Sequence, residues 1–409
     1  MEHPKLRQIE AIPINYSGRE MIALRDPSQT TDKTIVVPEE IFYILQFFDG
    51  QHSLLDIRSE FMRRFGTFLY EDQLKELINS LDQNLFLDSD RYQEYEQRRI
   101  RNYRNQPVRA AAFAGQSYQA GAEALSNQIS DFFTSPTGPG LPDGKLQSLQ
   151  LKGLVAPHID IKAGGTCFAH AYKELAESQD IDLFIIIGTG HAGVKNFFAC
   201  TDKVFETPLG RVSVDKAFLA QLQQKLDIDI YEQDVLHQTE HTLEFQVIFL
   251  QWVYLSKHDF MIVPILSNFA AQMFDPDWSE PTHPKMIREF LNALKETIQQ
   301  TEKRVCVIAS ADLAHVGPRY GDTFKPDNIF LADLGIKDKE TLGFVAGLDS
   351  ESFRESVRKD DVERRICGFP PIYSMLEVMG ASEGRLLKYD HVAVDPYQST
   401  VSFASMAFY

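Results

Sequence analysis

The sequence predicts an α/β protein, with a mostly parallel central sheet flanked by helices and a small α+β domain ahead of it. Three observations carry this. Uninterrupted apolar runs recur at 154–157 (LVAP), 184–188 (FIIIG), 260–266 (FMIVPIL) and 305–310 (VCVIAS). Segments of helical period lie between them, the alternation expected of a parallel sheet covered on both faces. The first ninety residues follow another rhythm, of short amphipathic helices, and 409 residues is a length that suits two domains.

The first segment runs from residue 1 to 92. Residues 34–37 (TIVV) read as a short strand. Pro38 suits a helix start, and 39–50 (EEIFYILQFFDG) read as a helix ended by Asp49-Gly50. Ser53 is placed to cap a second helix with apolar residues at 54, 55, 57, 61 and 65, closed by Gly66. Residues 71–83 give a third helix with Leu74, Ile78 and Leu81 on one face. Residues 85–88 (LFLD) read as a wing-like strand, so a winged-helix-like domain is expected. The run FDGQHSLLDI followed by EDQLKELINSL resembles the PqqD-like family, which implies a peptide ligand for this domain; the alternative is a docking domain with none.

Residues 93–108, Arg-rich with interleaved Tyr and Asn, are expected to be a linker or helix extension. The larger domain, 109–409, holds the apolar runs. Within it 134–144 (TSPTGPGLPDG) is a loop by its Pro and Gly content. Residues 242–255 and 285–302 read as helices, and the closing VSFASMAF as an antiparallel edge strand.

The formal charge is -17, from 41 Lys and Arg against 58 Asp and Glu. Phosphate contacts need clustered cations, so DNA binding and an anionic membrane surface are not expected. No apolar segment suits a signal peptide or a membrane span. The four cysteines, Cys167, Cys200, Cys306 and Cys367, are scattered without a CxxC pair. That points to reduced thiols and a cytoplasmic location.

The chemistry lies just past the end of each apolar run. LVAP leads to His158, FIIIGTG to His191, and VCVIASA to Asp312 with His315 three residues on. Carboxyl ends of parallel strands converge on one crevice, where ligands bind. Gly164-Gly165, Gly188 and Gly190 would let backbone approach such a ligand. In TEHTLEFQ, His241 and Glu244 share a helix face, His237 lies one turn earlier, and Thr239 or Glu240 is placed to cap. Cys367 follows Arg364-Arg365, which would lower its thiol pKa. Neither a phosphate-binding glycine motif nor HExxH occurs at these places.

These residues resemble the Memo family, component B of the set called AmmeMemoRadiSam. The ordered blocks are RAAAFAGQSY, APHIDIKAGG, GTGHAG, TPLGRVSVD, EHTLEFQ, IVPIL, SADLAHVG, ICGFPPI and VSFASMAF. The resemblance implies a fold similar to LigB-type extradiol dioxygenases, which use non-haem ferrous iron. It implies that His158, His191 and Cys367 bind the metal, and that His315, Asp312 and His241 do catalytic work in the pocket. The thiolate at Cys367, where the dioxygenases have a carboxylate, sets ring cleavage apart and opens the site to copper or zinc besides Fe(II). This chain departs from the family at Asp160 and Lys162, after the first His, and at Phe113. The readings are a mononuclear metal oxidoreductase of unknown substrate, or a non-catalytic metal-binding adaptor. The adaptor would work with a radical-SAM enzyme and an AMMECR-type protein in peptide or RNA modification. A metal-free hydrolase using Cys367 would leave two strand-end histidines without a role.

Overall fold

The computed structural model describes every residue except 17, 27–29, 32, 145–148, 255–256 and 275–281. The chain divides into two compact units, Met1–Asn105 and Gln106–Tyr409.

The first unit contains β1 (Glu10–Tyr16), β2 (Arg19–Arg25), β3 (Ile35–Val37), α1 (Glu39–Leu45), α2 (Leu54–Phe65), α3 (Glu71–Gln83) and α4 (Asp90–Arg104). Its strands form an antiparallel sheet in the order β1-β2-β3. The β1–β2 hairpin escaped the sequence reading. Pro13, a residue that argues against a strand, is accommodated because β1 is an edge. Residues 85–88 are not the expected wing: among the described residues, Leu87 makes only an isolated bridge to Leu6. The sheet therefore comes before the helices. α2 begins as its sequence demands, with the Ser53 hydroxyl accepting from the Asp56 N–H and the Asp56 carboxylate from the Ser53 N–H. Gly66 ends it in the left-handed region at φ 66°. Leu74, Ile78 and Leu81 of α3 are buried beside Ile57, Phe61 and Phe86. α4 carries the helix through most of the expected linker, with the Ser89 hydroxyl at its cap.

The second unit opens with β4 (Val108–Arg109) and α5 (Ala122–Thr134), then β5 (Gly153–Ala156), α6 (Ile161–Ala176) and β6 (Leu183–Thr189). Next come β7 (Phe198–Cys200), β8 (Val204–Thr207), β9 (Gly210–Val214), α7 (Lys216–Gln224), α8 (His241–Tyr254) and β10 (Met261–Ser267). α9 (Ala270–Phe274), α10 (His283–Gln300), β11 (Val305–Ser310) and β12 (Asp312–Val316) come after them. The unit closes with α11 (Asn328–Ala346), α12 (Ser350–Lys359), α13 (Asp361–Arg364), α14 (Phe369–Val378), β13 (Gly384–Ala393) and β14 (Thr400–Phe408).

The strand order is β12-β14-β5-β11-β6-β10-β9-β8-β4, with β13 also on β14 and β7 also on β10. β5, β11, β6, β10 and β9 are mutually parallel, and every residue of β5 and β6 is buried. Helices cover this sheet, which is why its strands read as continuous apolar runs. β14 corrects the sequence reading. It is antiparallel but interior, flanked by β13 on one side and by β5 and β12 on the other, with all nine residues buried.

Parallelism does the positioning. β5, β6 and β11 all end on one rim, so His158, His191 and Asp312 emerge together. Polar side chains of α8 bolt that rim. Gln246 donates to the Pro157 carbonyl and the Ser310 hydroxyl, at 2.8 and 2.7 Å, and the Thr242 hydroxyl donates to the Thr189 carbonyl at 3.2 Å. Thr242 and Gln246 are fully buried, where an unpaired polar group would cost about 1–3 kcal/mol.

A candidate metal centre at the strand ends

His158 leaves β5 through Pro157 and is 2% exposed. Its N–H donates to Asp312 Oδ1 at 2.9 Å, and its Nδ1 lies 3.0 Å from the Ser310 carbonyl oxygen. A carbonyl only accepts, so Nδ1 carries a proton and Nε2 is the nitrogen left to face the centre. Nε2 sits 3.2 Å from Cys367 Sγ. Burial pushes the His158 pKa down, but the Asp312 carboxylate and the Cys367 thiolate outweigh it and hold the imidazole at about 9.

His191 follows Gly190 at the end of β6. Its N–H donates to Glu240 Oε2 at 2.9 Å, and its Nδ1 faces both Glu240 oxygens at 3.2 Å. Burial opposes its charge, and Glu240 and Cys367 raise its pKa well above the ordinary value.

Cys367 stands between α13 and α14, and α14 packs on β6 and β11. Its carbonyl accepts from the Thr189 hydroxyl at 3.0 Å. Gly368 beside it donates to the Asp312 carbonyl at 3.0 Å, and a Cβ there would come within 2.2 Å of that oxygen. Burial works against ionising the thiol. His158, His315 and His191 overcome it, and the Cys367 pKa falls well below the usual thiol range. The arginines expected to do this are engaged elsewhere: Arg364 with Asp338, and Arg365 with Asp322 and the His315 carbonyl. Cys167, Cys200 and Cys306 are buried without such partners in charge, and burial pushes the Cys167 thiol up to about 12.

One donor atom from each of His158, His191 and Cys367 lies within 4.8 Å of the other two. The donor set fits a divalent metal: two imidazoles with their other nitrogens occupied, and an ionised thiol. Asp312 braces His158 rather than His315. His315 lies on β12, partly buried, with Nδ1 3.1 Å from the Leu313 carbonyl oxygen and its ring edge-on to Tyr320. His241, at the start of α8, has its ring 5.1 Å from that of His191 and 5.6 Å from that of His158.

Other expectations change. Gly164-Gly165 do not meet a ligand. They lie in α6, where Cβ atoms would strike Ile159 and Phe132 at 2.5 and 2.4 Å, so they serve helix packing. Glu244 is fully buried away from the imidazoles. It forms an ion pair with Arg109 and accepts from the N–H groups of Ala112 and Phe113 and from the Tyr118 hydroxyl. Sequence reasoning saw Glu240 only as a cap, which it is, and missed its hold on His191. The signal was an acid directly before a histidine at a helix start.

His237 is buried and its Nε2 lies 3.0 Å from the Ala199 carbonyl oxygen, so it is held neutral. Burial pushes its pKa down to about 3. A group depressed on folding contributes stability above its unfolded pKa, near 6.5, and loses it as pH falls toward 3. We expect a loss on the order of 1 kcal/mol per pH unit below 6.5, steepest once the unfolded histidine is fully protonated. Urea melts at pH 6.5 and 5 would read it. His237→Gln, whose amide can still donate to Ala199, should flatten the slope, and an unchanged slope would sink the assignment.

Concavities of about 810 Å³ beside Arg211, Gln251 and Phe260, and about 760 Å³ beside Arg288, Arg354 and Tyr373, contain none of this centre's donors.

A family model described as Memo-like protein matches residues 109–407. A MEMO1 family protein of Aquifex aeolicus is 24% identical over 409 residues, covering 99% of this chain and all of the relative. A MEMO1 family protein of Methanopyrus kandleri is 32% identical, covering 73% of this chain and 98% of the relative. Another, from Caldivirga maquilingensis, is 29% identical, covering 74% and 99%.

Proposed function

This chain belongs to the Memo family, and on that premise we propose that it is a mononuclear metal protein, an oxidoreductase whose non-haem iron is held by His158, His191 and Cys367. The observation that carries this is the mutual approach of two imidazole nitrogens and an ionised thiol within 4.8 Å. Ferrous iron would supply redox chemistry with open coordination positions; copper or zinc are the other fillings a thiolate permits. His158 and His191 offer Nε2 because Ser310 and Glu240 occupy the opposite nitrogens. Cys367 brings the anionic ligand without first losing a proton. His315, with Nδ1 on a backbone carbonyl, keeps Nε2 to take or return a proton, and His241 stands beside the ligand imidazoles for the same work. Four free thiols suit a reducing cytoplasm, and no helix among the described residues is long and apolar enough to cross a membrane.

The test is elemental analysis of anaerobically purified wild type, Cys367→Ala and His191→Ala. About one iron or copper per chain, lost in both variants, is expected for three ligands of one ion. No bound metal and no uptake on reconstitution would overturn the reading.

One observation favours an adaptor role beside it. The relatives from Methanopyrus kandleri and Caldivirga maquilingensis are covered nearly whole by about three quarters of this chain. The family match begins at residue 109, so the first unit is an addition to a complete module. That unit would recruit a partner, a peptide or the radical-SAM and AMMECR-type proteins named by the resemblance.

A further inference from the structure

We propose that Glu240 is the positioning residue of this centre: one carboxylate that holds the Nδ1–H of two imidazoles, His191 and His241, so that Nε2 of each is the nitrogen turned away from it. The inference rests on the reading of His158, His191 and Cys367 as metal ligands.

Glu240 is 8% exposed and stands between a 3₁₀ turn, Asp234–Gln238, and the first turn of α8. Its Oε1 accepts the N–H of His241 at 2.9 Å and that of Thr242 at 3.3 Å, which makes it a helix cap. A cap needs nothing more. Glu240 also reaches a different segment, where Oε2 accepts the His191 N–H at 2.9 Å. Nδ1 of His191 lies 3.2 Å from both oxygens, and Nδ1 of His241 lies 3.0 Å from Oε1. An ionised carboxylate only accepts, so both Nδ1 atoms carry their protons. The two rings are held 12° from parallel. The backbone of Glu240 is pinned as well, since its carbonyl accepts from Arg109 Nη2 at 2.9 Å.

His158 provides the contrast within the same centre. Its Nδ1 is anchored by a backbone carbonyl, so no side chain need be spent on it. Three imidazoles thus share two anchors, and one anchor holds two rings. His191, Glu240 and His241 also place donor atoms within 4.8 Å of one another, as a second cation site would. The carboxylate already faces three backbone N–H groups and two ring nitrogens, which leaves it no free lone pair for an ion. An amide cannot replace it. Glutamine offers one acceptor oxygen, and its NH₂ would face N–H donors.

The experiment uses the full chain labelled with ¹⁵N-histidine, both zinc-loaded and metal-free, with two-bond ¹H–¹⁵N correlations assigning each ring proton. Wild type is expected to show Nδ1–H at His158, His191 and His241. In Glu240→Gln the fixed Nδ1–H should be lost at His191 and His241 and kept at His158, and the zinc dissociation constant should rise about 10–100-fold. An Nδ1 without its proton on His191 or His241 in wild type, metal-free or zinc-loaded, or unchanged rings in the variant, would overturn the inference. So would a second zinc per chain that Glu240→Gln abolishes, since Glu240 would then be a ligand. If Glu240→Gln fails to fold, the wild-type spectra decide alone. If wild type takes up neither zinc nor iron nor copper, the metal reading fails, while the metal-free spectra still test Glu240.

Discussion

Replacing Arg109 by methionine should destabilise the second unit by about 3–5 kcal/mol, the usual cost of stripping one partner from a buried ion pair. Arg109 is 1% exposed and Glu244 is fully buried. The guanidinium also donates to the carbonyls of His237 and Glu240, at 2.8 and 2.9 Å, so two further acceptors would be orphaned. Glu244 cannot move to water, because it is the acceptor for the N–H groups of Ala112 and Phe113. Pairing the change with Glu244→Gln removes the stranded charge and should recover part of the loss. Full recovery is not expected, since one amide oxygen cannot serve every donor there. Denaturant midpoints of the three proteins measure this. A loss under about 1 kcal/mol for Arg109→Met would mean that the carboxylate finds water or a proton, and that the pair is not structural.

Gly368→Ala should both destabilise the fold, by about 1–3 kcal/mol, and weaken the metal centre. The backbone φ is -77°, so an alanine is not barred by conformation. It is barred by space: Asp312 O would lie 2.2 Å from the new Cβ and Ala311 Cβ 2.7 Å away. Relief must come from moving the Cys367-Gly368 backbone off β12, which carries Sγ away from its 3.2 Å approach to His158 Nε2. Metal affinity should fall on the order of 10–100-fold. Gly343→Ala, on α11 where a Cβ would meet nothing, is the control and should be neutral or slightly stabilising. A competition titration against a chelator reads the affinities. Wild-type affinity in Gly368→Ala would show that the thiol position does not depend on this contact.

The centre was legible in the sequence as far as strand ends could reveal it. His158, His191 and Asp312 each follow an apolar run, and parallel strands bring such positions to one rim. Cys367 stood out locally as a thiol beside two arginines, which are engaged elsewhere; its place among the metal ligands was legible only through the family resemblance, because α14 is remote in sequence from the other two. Glu240 was hidden by its second role: a cap explains an acid at a helix start, and nothing local says that the same oxygens reach His191. β14 was misread because VSFASMAF alternates small with large residues, as a half-exposed edge would. Its small residues are buried instead, and Ser402 accepts from the Ala314 N–H at 2.9 Å and donates to Asp338 at 2.6 Å. The β1–β2 hairpin was lost to charge and proline, which a sheet edge tolerates.

The interior place of β14 has a consequence for how the chain is made. Synthesis runs from the amino end, so β5 is complete while more than half of the chain, including the strand that must lie beside it, is still to come. Over that interval β5 keeps one row of backbone donors and acceptors bare, and such a row is a template for pairing with another chain. β12, made later, waits with the same open side. The sheet therefore closes late, when β14 adds along the open sides of β5 and β12 and carries β13 on its other side. Nascent chains stalled before β14 should depend on chaperones far more than the finished protein does.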